Sequence, residues 1–277
     1  MTEVQIRLLD MMKYLHRFCV ENDIRYYGIG GTMLGAARHA GYIPWDDDID
    51  VAMPRNDYER FIKLFRSNSN SNYVVESDKQ FDYAYAYAKM YDVRTTLIEN
   101  FYDPVIRGLY IDIFPLDGAG QTIDGSIKHY KKIEKQNRII NYYKIRITED
   151  RAGYKNLILR GLHLIPKWIM SIQKSQKKII KICKQRDFDK SRYVGNLVGA
   201  WGIKEIMERS FFGEPTLYKF EDMEIFGAEK YDEYLTAVYG DWRQLPPEEK
   251  RKSHHQNYID LETPYSHYAE GRSQKEI

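Results

Sequence analysis

The chain has 277 residues, with 42 Lys and Arg against 40 Asp and Glu, a formal net charge of +2 and 43% hydrophobic residues. It is long enough for one large core or two packed ones, and no uninterrupted apolar run is long enough to span a bilayer. Two cysteines, Cys19 and Cys183, exclude a disulfide framework and a four-cysteine zinc site; both sit among apolar neighbours, where packing is the expected role.

The start, Met-Thr-Glu-Val-Gln-Ile, shows no basic stretch followed by an apolar one, so the expected compartment is the cytoplasm. Residues 3–22 put Val4, Leu8, Met11, Met12, Leu15, Phe18 and Cys19 on a helical period, and Asn22-Asp23 ends it. Ile24 to Gly30 reads as a strand ending in glycines, with a short helix from Met33 to Arg38 behind it. A glycine turn feeding a helix start offers backbone N–H groups to phosphate, although the same pair also serves as an ordinary tight turn.

Trp45 is followed by Asp46, Asp47, Asp48 and Asp50. In a strand over Asp48–Met53, Asp48 and Asp50 share one face while Ile49 and Val51 point into a core. Two carboxylates side by side repel each other, and a cation between them relieves the repulsion, so the pair reads as a divalent-metal site. Pro54 stops the strand, Asn56–Glu59 caps a helix through Phe65, and 67–72 is a loop.

Tyr83 to Lys89 alternates Tyr and Ala strictly, which predicts a strand with Tyr83, Tyr85, Tyr87 and Lys89 on one face. Thr95–Glu99 is the next strand. In Leu109–Asp117, Asp112 lies between Ile111 and Ile113, where a carboxylate is costly unless it pairs with an Arg or binds metal. It is the expected third carboxylate. Asp117-Gly118 reads as a turn.

Residues 127–192 carry roughly nineteen Lys and Arg against about five acidic residues, with helices over 126–147, Tyr154–Leu164 and Lys167–Lys184. The stretch 157–170 is apolar, contains Trp168 and is flanked by cations. Solvated helices are the first reading, a contact with an anionic membrane or a polyanionic acceptor through 157–182 the second and nucleic-acid binding the third; no nucleic acid is expected. Tyr218–Phe226 predicts a strand pair, and Tyr231–Gly240 a helix with a glycine cap. His254 and His255 follow Arg251 and Lys252, beside a phosphate or on a solvated helix end. The tail beyond Tyr268 is expected to be disordered.

The motif from Gly30 to Arg55, together with Tyr87-Ala-Lys-Met, Thr95-Thr-Leu-Ile, Tyr110-Ile-Asp-Ile-Phe-Pro-Leu-Asp and Tyr239-Gly-Asp-Trp through Arg251, resembles the LicD family, cholinephosphotransferases of bacterial cell-surface glycans related to the fukutin group. Around Phe226–Tyr231 the chain lacks a proline found in many relatives. The resemblance implies an α/β (α+β) fold of nucleotidyltransferase type, with a mixed sheet flanked by helices. It implies a phosphotransferase that moves phosphocholine from CDP-choline to a sugar hydroxyl of a teichoic-acid or lipopolysaccharide precursor, releasing CMP. The acceptor would be a glycan or lipid-linked glycan. Asp48, Asp50 and Asp112 would hold Mg2+, or Mn2+ in its place, and Gly30, Gly31 and Thr32 would form the phosphate-facing turn. Residue chemistry adds Arg38, Arg55, Lys89 and Arg251 as phosphate contacts, and Trp45 with Tyr85 or Tyr87 facing the quaternary ammonium.

The expected organisation is a catalytic core over 1–125, a basic helical subdomain over 126–192 and a C-terminal α/β part over 193–277. The alternatives are transfer of another CDP-linked polyol phosphate, ribitol or glycerol phosphate, through the same site, and a non-catalytic scaffold docked on the inner face of the membrane.

Overall fold

The structure is a computed structural model that describes residues 1–68, 72–78, 85–99, 104–144, 153–164, 171–251 and 258–268. The first third holds α1 (Glu3–Glu21), β1 (Tyr27–Gly28), α2 (Gly30–His39), β2 (Asp50–Pro54), α3 (Arg55–Arg66), β3 (Tyr73–Glu76) and β4 (Ala88–Asp92). Then come β5 (Thr96–Glu99), β6 (Val105–Arg107), β7 (Tyr110–Gly120) and the helices α4 (Ile123–Lys144), α5 (Gly153–His163) and α6 (Ile172–Cys183). The remainder is β8 (Tyr193–Gly195), β9 (Met207–Glu208), β10 (Thr216–Phe220), β11 (Met223–Gly227), α7 (Tyr231–Tyr239) and β12 (Tyr258–Asp260). The fold is mixed α/β.

β7 is the longest strand, and the main sheet is built around it. β2 runs parallel to its first half, β4 pairs antiparallel on its other edge, and β1 and β3 complete the row β1-β2-β7-β4-β3. The second half of β7 pairs with β8, which pairs with β9. Period-two alternation divides the strand between two cores. Ile111 and Ile113 are fully buried with Val51, Met53, Ala88 and Met90 beneath α1 and α3. Phe114 and Leu116 face Ala52, α2 and α7. Each such aliphatic side chain contributes roughly 1.5–3 kcal/mol by leaving water. α4 and α6 form a third core with Ala119 at the end of β7.

Several elements depart from the sequence expectations. α2 begins at Gly30, which puts both glycines and Thr32 in the helix's first turn; φ of +54° at Gly30 suits a residue without a Cβ. β2 begins at Asp50, so Asp48 precedes the strand instead of sharing it; its ladder partner is β7, and the strand starts where that pairing starts. Tyr85 and Tyr87 lie in a bend and β4 starts at Ala88, while Tyr83 is outside the described residues. Asp117 is not in a turn. It lies within β7, because the strand runs on to pair with β8 and Arg55 supplies the counter-charge that burial requires. α4 starts at Ile123 and α6 at Ile172, the latter capped by Ser171 Oγ, which accepts the Lys174 N–H. The strands expected over Tyr218–Phe226 form the hairpin β10–β11. Residues 165–170, His254, His255 and the tail beyond Tyr268 lie outside the described residues.

Candidate active site

Strand register sets the site. Asp50 of β2 stands directly opposite Asp112 of β7, and Asp112 stands opposite Lys89 of β4. Partners in register project on one face, so the sheet delivers carboxylate, carboxylate and ammonium in a row. The backbone locks this edge: the Asp112 N–H donates to the Ile49 carbonyl at 3.0 Å, and the Ile29 N–H donates to the Asp50 carbonyl at 3.1 Å.

The start of α2 presses onto the same edge. Thr32 Oγ1 accepts the Asp50 N–H at 2.8 Å. A Cβ on Gly30 would lie 3.3 Å from Asp50 Oδ2, and one on Gly31 would lie 2.5 Å from Asp46 Oδ2, so the carboxylates approach as closely as glycine allows. The Gly30 N–H itself donates to the Tyr234 hydroxyl at 2.8 Å. The positive end of the helix favours anions here, by about 0.3–1 kcal/mol per charge.

That is less than the repulsion it faces. Burial and then Asp48, Asp112 and Asp46 push the Asp50 carboxyl well above the usual range, with Lys89 opposing. Burial also raises Asp112, while Lys89 holds it down. Lys89 Nζ is buried 2.9 Å from Asp112 Oδ1 and 3.7 Å from Glu99 Oε1. It lies 3.2 Å from the Tyr110 ring centroid and 4.5 Å from that of Tyr85. Burial alone would lower its pKa, but Asp112, Tyr87 and Glu99 raise it above the ordinary lysine value. The Tyr85 hydroxyl donates to Glu99 Oε1 at 2.7 Å, and the Tyr87 ring packs on Phe114 at 4.2 Å.

Asp48, Asp50, Asp112, Gly30, Gly31, Thr32, Tyr85, Tyr87 and Lys89 thus share one neighbourhood. The other candidates are engaged elsewhere. Arg38 donates to the carbonyls of Trp242 and Gln244 at 2.8 and 3.2 Å. Arg55 is buried in a bidentate pair with Asp117, at 2.8 and 2.6 Å. Arg251 lies over the Trp45 ring, 5.4 Å from its centroid, with its Nε donating to the Pro246 carbonyl. Glu99, Tyr110, Tyr234 and Tyr239 are additions that the sequence reading missed. Tyr110 lies two residues before Asp112, so strand alternation could have found it. Tyr234 and Tyr239 reach Gly30 only through the packing of α7 on α2.

The donors fit a hard divalent cation in kind: they are carboxylate oxygens with an excess of negative charge. As the side chains stand, no three His, Cys, Asp or Glu groups among the described residues could hold an ion by themselves. Mg2+ is commonly bound by one or two carboxylates with phosphate oxygens and water completing the shell, so the pair Asp48 and Asp50 meets that requirement.

The fold is thus a mixed sheet that brings carboxylates to the first turn of a glycine-led helix. Residues 23–145 match the family described as LicD/FKTN/FKRP, nucleotidyltransferase domain. The chain is also similar to the lipopolysaccharide cholinephosphotransferase LicD of Haemophilus influenzae, 29% identical over 264 residues that cover 91% of this chain and 95% of that protein. An uncharacterised protein of Rickettsia typhi is 34% identical over 74 residues, covering 27% of this chain and 24% of its own. The likeness to the LicD family is thus carried by residues 23–145 and by a relative matched along most of its length.

Proposed function

We propose that the protein is a Mg2+-dependent cholinephosphotransferase that moves phosphocholine from CDP-choline to a sugar hydroxyl of a cell-surface glycan precursor. The observation that carries this is the in-register pair Asp50–Asp112 beside the first turn of α2, where Asp48 and Asp46 also push the Asp50 carboxyl up. Mg2+ on Asp48 and Asp50 would neutralise the donor diphosphate. Asp112, held by Lys89, is the chain's candidate base. It takes the proton of the acceptor hydroxyl as that oxygen bonds to the choline-bearing phosphorus and the bond to the CMP oxygen breaks. Lys89 then steadies the changing charge on Asp112. The relative's name supports phosphocholine as the group transferred and lipopolysaccharide as the acceptor class; a teichoic-acid precursor is the other acceptor we propose.

A second reading, transfer of a CDP-linked ribitol or glycerol phosphate, has one observation in its favour. The aromatic faces expected to receive a quaternary ammonium already carry the protein's own cations, Arg251 on Trp45 and Lys89 on Tyr85. A thermal-shift and CMP-release panel with CDP-choline, CDP-ribitol and CDP-glycerol decides between them: the preferred donor gives the larger concentration-dependent stabilisation and supports turnover. Preference for CDP-ribitol overturns the choline assignment.

A further inference from the structure

α5 leaves a row of apolar side chains in solvent. Tyr154, Leu157 and Ile158 are 65%, 71% and 57% exposed, and Leu164 in the turn behind the helix is 83% exposed. At 100° per residue these positions fall within one stripe about 120° wide. Lys155 and Arg160, both exposed, fall on its two flanks, and half-buried Asn156 falls on the opposite side. A helix packed on a soluble core turns its apolar side chains inward; α5 and the turn behind it leave these four in solvent, with exposed Lys155 and Arg160 beside them. No helix among the described residues is long and apolar enough to cross a membrane.

The surroundings carry the same sign. α4, against which α5 packs, exposes Lys128, Lys131, Lys132 and Lys135 at i, i+3, i+4 and i+7. α6 packs along α4 and exposes Lys177 and Lys181. Residues 127–192 carry a formal charge of +14, which leaves −12 for the rest of a chain whose net charge is +2. The molecule is therefore strongly polarised. We infer that α5 is an interfacial helix that docks the protein on an anionic lipid surface, Tyr154, Leu157 and Ile158 entering the headgroup boundary while Lys155 and Arg160 stay at the phosphates. The acidic remainder, which includes the Asp50 site, is repelled from the same surface. A second copy of the chain is a poorer occupant, because a two-fold contact through this face would set one lysine-rich surface against another.

Flotation of the full chain tests this, with vesicles of phosphatidylcholine alone and of phosphatidylcholine mixed with phosphatidylglycerol. The protein should float with the anionic vesicles at low salt, and raised salt should weaken binding by screening. The double variant Leu157→Ser/Ile158→Ser should bind them about tenfold or more weakly, as two aliphatic side chains no longer enter an apolar phase. Its unfolding midpoint should be unchanged, since both side chains are exposed. Wild-type flotation by the variant, or no flotation of the wild type with anionic vesicles, overturns the inference. So does a lipid-free dimer that the same variant dissociates, which would give the stripe to a second copy. None of these readouts depends on turnover.

Discussion

β7 carries two acidic centres five residues apart, one half-buried and one fully buried, and they are resolved in opposite ways. At Asp117 the carboxylate is fully buried and Arg55 meets both its oxygens, so one charge answers one charge and the guanidinium also covers the Tyr58 ring at 5.1 Å. At Asp112 the Lys89 ammonium faces both Asp112 and Glu99, while Asp50 stands in the next strand with Asp48 and Asp46 pushing its carboxyl up. Strands lie about 4.8 Å apart, where two like charges cost about 3 kcal/mol at an effective dielectric near 20. A folded protein keeps such an excess when something else supplies positive charge. The balanced centre is structure; the unbalanced one is where the proposed cation and diphosphate would bind.

The largest expected effect is on turnover. Asp50→Ala or Asp48→Ala should lower CMP release by about a thousandfold or more, with the unfolding midpoint unchanged or raised. Arg55→Met should do the reverse, costing about 3–5 kcal/mol in urea unfolding because Asp117 is left buried without its partner. Activity per folded molecule should persist. An active Asp50→Ala protein, or an Arg55→Met protein of native stability, would collapse the distinction between the two centres.

Lys89→Met separates the centres more finely. It leaves Asp112 and Glu99 without their ammonium, so the metal-free protein should lose about 3 kcal/mol. Saturating Mg2+, at about a hundred times its dissociation constant, should stabilise the wild type by about 2.7 kcal/mol and the Asp50→Ala variant far less. Asp50→Asn should be more stable than the wild type without metal, since one of the mutually repelling carboxylates is gone. A lower midpoint for Asp50→Asn would show that the excess charge is already neutralised within the chain.

Asp50, Asp112 and Lys89 are each legible as site candidates because each interrupts an apolar or aromatic alternation, but the register that lines them up across three strands is not. The sequence did not reveal the Arg55–Asp117 pair. Asp-Gly is ordinarily a turn signal, and β7 continues through it only because β8, about 75 residues later, supplies the next ladder. Tyr234 closing on Gly30 is a contact across 204 positions that no local pattern encodes. The engaged states of Arg38, Arg251 and Trp45 were hidden for the same reason: Arg38 meets carbonyls about 200 positions away, and Arg251 lies over Trp45 from as far along the chain. The α/β class was legible throughout; the register that assembles the site was not.

Glu205 is a third solution to a buried carboxylate, and it gives the smallest effect. It is 5% exposed, and no ion pair to it is found among the described residues. Its partners are dipoles: the Trp201 N–H at 3.0 Å and the Asn196 side chain. Burial outweighs them and pushes its pKa up to about 7 from 4.5. The folded state then holds a proton that the unfolded chain releases between these values, so the contribution to stability is complete below about pH 4.5 and is lost as pH rises through about 7. Glu205→Gln keeps the acceptor for Trp201 without the charge. Relative to this variant, the wild type should lose on the order of 2 kcal/mol in urea unfolding between pH 4.5 and pH 8. A flat difference across that window would mean that the Asn196 and Trp201 dipoles suffice to hold the ionised form. The site should feel the change as well. Trp201 packs edge-on against Tyr239 at 4.9 Å, and Tyr239 stands beside Gly30, so charging Glu205 loads the wall next to the Asp50 carboxylate.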